Sequence, residues 1–374
     1  MDNLTHSLFG LTLARTSLGR AGSGTTSALL LASNAPDIDI VTTAGGAAAY
    51  LQWHRGPTHG PLGVVGLGLL VAVTVWAVGR LRTRDEGSRR AGFGALWAVS
   101  ILGVLFHVLM DLPTSYGTRL LSPFDWHWFA LDWVPIIDVY LLGILGAGLA
   151  WGRRRDRHGT SLQRPRSRSH TGRRAASLAL SAMAAFYAGR AAAHRQALAE
   201  APTVLAPLPQ RCAPPPIALD RWPRAAVLDV AHQPADGCLM DLAAIPDVLS
   251  PFRWRLIAQL PDRYKLGNTD LLAPRRAARE PAAPASGRTA AYENRWTDAV
   301  AGAARSASAQ IFLGFSRFPA AHWRVDDRGI TTVQWTDLRF VPPPSIDQSG
   351  RNLFFTITVR VDASGRILDE RLGS

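Results

Sequence analysis

A chain of 374 residues, 47% of them apolar and carrying a net charge of +13, is long enough for more than one domain. The charge is almost entirely arginine, since Lys265 is the one lysine, and two cysteines exclude a thiolate metal cluster or a disulfide-rich scaffold. The arginines gather in short links between apolar runs, "GRLRTRDEGSRR" and "GRRRDRHGTSLQRPRSRSHTGRR". That placement fits the positive-inside pattern of membrane proteins. It argues against nucleic acid, which asks for basic residues interleaved with aromatics on a folded face.

The first residues, "MDNLTHSLFG", carry an acid at position 2 and lack the basic segment of a secretory signal, so they are expected to be retained. Two short apolar pieces follow, residues 4–18 and 25–35, which read as a helical hairpin rather than spans. Four longer runs, residues 61–79, 91–110, 133–151 and 175–193, approach the roughly 20 residues that cross a bilayer. The expected fold is therefore a multi-pass α-helical membrane bundle. Positive-inside orientation puts the arginine links in the cytoplasm and the opposite ends of the first three runs at the outer rim.

From about Glu200 the composition changes. "APTVLAPLPQRCAPPPIALDRWP" reads as a proline-rich linker. "HWRVDDRGITTVQWTDLRFV" and "NLFFTITVRVDASGRILDERL" alternate apolar and polar residues around the turn signals "DDRG" and "DASG", as antiparallel strands do. With a helix followed by an aromatic strand read in "AYENRWTDAVAGAARSASAQIFLGFSRF", the expectation is a small α+β extracytoplasmic domain. The partition is then 1–152 for the membrane-embedded domain, 153–174 for a basic cytoplasmic loop, 175–195 for a last transmembrane helix and 196–374 for the soluble domain. On the oxidising side of the membrane, Cys212 and Cys238 are free to pair.

The chemistry lies in the membrane-embedded part. His107 and Asp111 stand four residues apart, on one face of a helix. "HRGPTHG" brings His54, Arg55 and His59 to the start of an apolar run, and its Gly-Pro turn can fold both imidazoles towards a common point. "NAPDID" adds Asp37 and Asp39, and the first helix adds His6, with Thr5 or Asn3 as its cap. Each group alone suits a solvated helix end or an interfacial loop. Together, ionisable residues at membrane depth mark function. The candidate ligand set is His6, Asp37, Asp39, His54, His59, His107 and Asp111, a mixture of imidazole and carboxylate that suits zinc first and manganese second. Seven ligands exceed one tetrahedral ion, so two neighbouring ions are part of the expectation. Asp39, Arg55 and Asp111 are the candidate catalytic groups, with Arg119 a second cation for an anionic substrate. Asp138 is expected to partner a ligating histidine, and His127 to belong to an interfacial aromatic belt.

"MDNLTHSLFG", "NAPDID", "HRGPTHG" and "HVLMDLPTSYGTRLLSPFD" resemble, in order, the motifs of the bacterial inner-membrane-associated metal-dependent hydrolases of the YdjM-like, LexA-regulated group. The resemblance covers roughly residues 1–150, and "FSRFPAAHWRV" and "TDLRF" are similar to the tail of longer members. It implies a multi-pass inner-membrane protein that binds metal and hydrolyses its substrate. Gly60 departs from it, since related chains often carry a serine there. The leading expectation is a metal-dependent hydrolase that uses metal-activated water on a lipid-linked ester or phosphodiester. Its partners are then membrane lipids, with no nucleic acid. The rival is a non-enzymatic membrane protein, metal-binding or acting in envelope stress, whose C-terminal domain binds an unidentified protein.

Overall fold

The computed structural model describes residues 1–81, 90–158, 165–212, 220–222, 237–273, 289–294, 296–341 and 355–373. The first arginine-rich link and the middle of the proline-rich stretch fall largely outside them. The chain forms two compact units. One comprises Met1–Ile40, Arg55–Trp126 and Trp133–Ala192, and the other Val41–His54, His127–Asp132 and Ala193–Ser374.

The helices in chain order are α1 (Asn3–Ala14), α2 (Thr25–Ala32), α3 (Gly46–Trp53), α4 (Pro61–Leu81), α5 (Phe93–Asp111), α6 (Val139–His158) and α7 (Pro165–Val204), with a 3₁₀ segment, Ala35–Gly45, between α2 and α3. α1 begins where the Asp2 carboxylate accepts the Thr5 backbone N–H at 2.9 Å and the Thr5 hydroxyl at 2.6 Å. The cap is thus one residue earlier than Asn3. The core of the first unit joins Phe9 and Leu13 of α1, Leu29 of α2, Val71 of α4, Leu96 and Val104 of α5, and Leu141 and Leu145 of α6. α2 and α5 approach closely because Gly103 has no side chain; a Cβ there would meet the Ala32 Cβ at 2.7 Å. That approach delivers the main chain just past α2 to His107.

The multi-pass bundle is not what forms. Among the described residues only α4 and α5 are long and apolar enough to cross a membrane. In the most apolar window of α4 only 17% of residues are buried by protein, against 44% in α5. Most of α4 is therefore exposed apolar surface. The run at 133–151 fails because its first residues are not helical: α6 starts at Val139 and soon enters the arginine cluster from Arg153. The run at 175–193 is the alanine-rich middle of the 40-residue α7. Alanine carries too little apolar surface to offset Arg190 and the flanking arginines. The segment "RPRSRSHTGRR" enters this helix from Pro165 onward.

The expected α+β domain is also corrected, because the C-terminal region is mostly β-sheet. β3 (Asp241–Pro246), β4 (Arg253–Gln259), β5 (Arg263–Asp270) and β6 (Thr289–Glu293) follow β1 (Trp128–Ala130) and β2 (Asp220–Trp222). Two short helices, α8 (Asp298–Ala303) and α9 (Ala307–Phe315), lead to β7 (Pro319–Val325), β8 (Thr331–Asp337), β9 (Thr356–Val361) and β10 (Ile367–Gly373). The order is β3-β4-β5-β6 in one antiparallel sheet and β10-β9-β8-β7 in the other, with β1 and β2 as a separate pair. A shared core of Ile245, Ile257, Tyr264, Leu266, Phe318 and Leu338 joins the two larger sheets. The sequence turns fall where they were read: Gly329 and Gly365 take the left-handed φ of 73° and 82° that closes the β7–β8 and β9–β10 hairpins. Inside this unit Arg317 reaches Asp132 at 2.7 Å and Asp241 at 3.1 Å, all three buried. Cys212 and Cys238 form a disulfide.

Candidate metal centre

Four side chains converge in the first unit. One ligand atom from each of Asp37, His59, His107 and Asp111 lies within 4.8 Å of the others. They come from three places: the 3₁₀ segment after α2, the turn before α4, and the last turn of α5. His59 Nε2 lies 3.2 Å from His107 Nε2, 3.3 Å from Asp111 Oδ2 and 3.9 Å from Asp37 Oδ1. His107 Nε2 lies 3.4 Å from Asp111 Oδ2 and 3.5 Å from Asp37 Oδ1.

The far nitrogen of each imidazole is committed. His107 Nδ1 donates to the Ser33 carbonyl at 2.8 Å. The Thr58 hydroxyl lies 3.2 Å from Asp39 Oδ2 and 2.9 Å from His59 Nδ1. When that hydroxyl donates to the carboxylate it accepts from the ring, which leaves the His59 proton on Nδ1. In that arrangement both Nε2 atoms turn to the same point, beside two carboxylate oxygens, and a shared cation would satisfy all four. A tetrahedral ion with bonds of about 2.0–2.2 Å sets its ligands roughly 3.3–3.6 Å apart, and the five distances above straddle that range. The residues present fit a divalent cation. They contain no thiolate, and they do not by themselves name the metal.

Around this set the other charged groups have distinct places. Asp111 divides its oxygens. Oδ2 faces the histidines, while Oδ1 meets Arg55 Nη2 at 3.2 Å and also touches the Met1 amino group. His6 stacks on His107 with ring centroids 3.8 Å apart and brings Nε2 to 3.3 Å from Asp111 Oδ1, out of hydrogen-bond alignment. Burial holds the His6 imidazole well below the ordinary histidine range. Burial alone would raise the Asp37 carboxyl; its positive neighbours, Arg55 among them, hold it below its ordinary value instead. Asp37 is the least enclosed of the four, its side chain 14% exposed where the others are at 0%. The centre therefore opens on the Asp37 side.

Asp39 stands behind His59 rather than in the set of four. Its Oδ2 accepts the Arg55 backbone N–H at 2.8 Å and lies 3.7 Å from His59 Nδ1. Arg55 sits in the left-handed region at φ 52°, and its carbonyl accepts the Arg119 N–H at 3.0 Å. Its guanidinium also donates to Thr114 Oγ1 and the Gly117 carbonyl and lies over the Tyr116 ring. Arg55 thus holds Asp111 and the loop after α5. His54 ends α3 in the second unit, its ring stacked on Tyr50 at 4.5 Å, and is not among the four. Arg119 is buried over Trp126, which brings its guanidinium down to about 10. Asp138 caps α6 through the N–H groups of Tyr140 and Leu141 instead of partnering a histidine. His127 contacts Arg221 at 2.8 Å. Sequence reading passed over Ser33 and Thr58. Thr58 lies inside the quoted "HRGPTHG", but only the fold shows that its hydroxyl joins Asp39 to His59.

The first unit thus combines two span-length helices with a buried imidazole–carboxylate cluster able to hold a metal ion. The family described as YdjM inner membrane protein matches residues 1–197, and the chain belongs to it. A further relative is the "Uncharacterized protein YfhP" of Bacillus subtilis (strain 168), 33% identical over 114 residues. That alignment covers 30% of this chain and 32% of the relative, so the chain spans about a third of the length of the protein it matches. No solved structure matches.

Proposed function

We propose that the protein is a membrane-bound, metal-dependent hydrolase of the bacterial inner membrane, acting on a lipid-linked ester or phosphodiester. The observation that carries this reading is the convergence of two imidazole Nε2 atoms, 3.2 Å apart, with two carboxylates. Asp37, His59, His107 and Asp111 would hold the cation. Bound there, a divalent ion supplies hydroxide near neutral pH by lowering the pKa of its water. Asp39 and Thr58 keep the proton of His59 on Nδ1, and the Ser33 carbonyl does the same for His107. Arg55 fixes Asp111 through Oδ1 and leaves Oδ2 for the ion. His6, next to Asp111, shields that side from water. Substrate enters past Asp37, the open side.

Topology follows from charge and redox chemistry. The link after α4 is arginine-rich, so it belongs in the cytoplasm, and the metal end of α4 and α5 then faces outward. The Cys212–Cys238 disulfide supports placing the second unit in the same oxidising compartment.

One observation favours a second reading. Four protein ligands close a tetrahedral ion, and closed sites are structural, whereas catalytic zinc keeps a position open. A hydrolase built on this set needs an ion that accepts five or six ligands, such as manganese, or an Asp37 that yields its place. With a closed tetrahedral zinc the protein is instead a metal-stabilised envelope factor. Metal analysis of the full chain purified in detergent, followed by hydrolysis assays with zinc and with manganese on phospholipid vesicles, separates the two. Bound metal with hydrolysis supports the enzyme, bound metal without it supports the envelope factor, and no bound metal removes both.

A further inference from the structure

The exposed apolar residues of the first unit are not confined to α4 and α5. Leu4, Ile38, Ile40, Leu62, Leu121 and Phe124 are all exposed, Phe124 at 74%. Each neighbours a group at the metal centre. Leu4 precedes His6 by two residues on α1, and Ile38 lies between Asp37 and Asp39. Leu62 is in the first turn of α4, just after His59. Leu121 and Phe124 flank Ser122, whose carbonyl presses so closely on Gly60 that a Cβ there would lie 1.8 Å from it. Buried polar groups and exposed hydrocarbon thus alternate along each of the segments that build the centre.

What covers this rim follows from the two spans. α4 and α5 run antiparallel, with Gly68 against Ile101 and Trp76 against Phe93, so the start of α4 and the end of α5 lie at one end of the pair. The outward surface of α4 is apolar from Leu62 through Val65 and Leu69, and the rim continues it without a polar break at Leu62. Water is an unfavourable cover for so much apolar surface, and that surface adjoins the exposed apolar side of a helix long enough to cross a bilayer.

We infer that this apolar rim is seated in the outer-leaflet lipid, so that the metal centre opens into the head-group layer and receives amphiphiles laterally from the bilayer. Of the substrate classes, this selects a molecule whose scissile polar group lies at head-group depth while its chains remain in the leaflet. That selection rests on the hydrolase reading; the seating of the rim does not.

The test uses the full chain in vesicles of phosphatidylethanolamine and phosphatidylglycerol. Phe124→Cys and Ile40→Cys are each labelled with bimane, the native cysteines being joined to each other. Ser364→Cys, on the exposed β9–β10 turn, is the aqueous control. Lipids brominated along the acyl chain are expected to quench both rim labels at a depth of roughly 5–10 Å, the depth of interfacial apolar faces, and to leave the control unaffected. Quenching of the rim labels by iodide alone would place them in water and overturn the proposal. Protection from both quenchers would mean a protein cover, a second copy or another partner, and would overturn it equally. Metal content of the same wild-type vesicles is read separately: empty vesicles with quenched rim labels sink the hydrolase and keep the rim.

Discussion

His59 and His107 hold their Nε2 atoms 3.2 Å apart with both Nδ1 atoms already engaged, one on Thr58 and the other on the Ser33 carbonyl. Removing either ring removes one lone pair from the set. His59→Ala and His107→Ala are expected to lose most of the metal that wild type retains through purification, while His54→Ala keeps it. Elemental analysis of the three variants checks this, and metal lost on His54→Ala alone would contradict the four-residue centre.

Thr58 gives a finer probe, because it touches His59 without belonging to the set. Partners of this kind change metal affinity by about 10–100-fold. Thr58→Val keeps the shape and removes the hydroxyl, so metal competition with a chelator should show a loss of that size. Thr58→Ser should restore wild-type affinity. Equal affinity in Val and Ser variants would leave the hydroxyl without a role.

At Gly60 the Ser122 carbonyl occupies the space of a side chain. Gly60→Ala is expected to lower stability by about 1–3 kcal/mol, the usual cost of overpacking. The loss should appear as a fall in the thermal midpoint of the detergent-purified protein. An unchanged midpoint would show that the loop at Ser122 yields freely.

Asp138 provides a pH signature. Burial raises its carboxyl above the ordinary 3.8, against the pull of the Leu141 and Tyr140 N–H groups and Arg190. The folded chain therefore binds more protons than the unfolded chain between the two pKa values. Stability from this group is full below 3.8 and falls as pH rises through the folded value. Asp138→Asn keeps a capping oxygen and removes the charge, so its stability profile should be flatter across that window. A profile parallel to wild type would assign the slope to other groups.

The disulfide closes a loop with a sequence separation of 26 residues. A loop of that length restrains the unfolded chain by about 3–4 kcal/mol in the entropic account. Cys212→Ser with Cys238→Ser should lower the stability of the second unit by that order. In intact cells both native thiols should resist alkylation until a reductant is added. Free thiols in untreated cells would put this unit in the reducing compartment.

Local spacing carried much of the centre. The i, i+4 placement of His107 and Asp111 needs only helical geometry, and "NAPDID" with "HRGPTHG" named the segments that join them. The same string offered His54 and His59 as equals. They part because the chain reverses at Arg55, whose left-handed φ has no sequence signal in an arginine. Hairpins were legible from alternation and glycine. The extra spans do not form because hydropathy does not show where a helix begins: Asp138 lies inside an apolar run in sequence, yet it is the cap that starts α6. The Arg317 pairs with Asp132 and Asp241 join residues 185 and 76 positions apart and leave no local trace.

The unusual backbone of Arg55 has one more effect. Its N–H is tied to Asp39, its carbonyl to the Arg119 N–H and its guanidinium to Asp111, so a conformation that disfavours any side chain is fixed from three directions. The four side chains would therefore be held in place by the polypeptide before any cation arrives. A centre braced in this way is expected to discriminate among cations by radius and to prefer ions of the first transition row over the larger calcium.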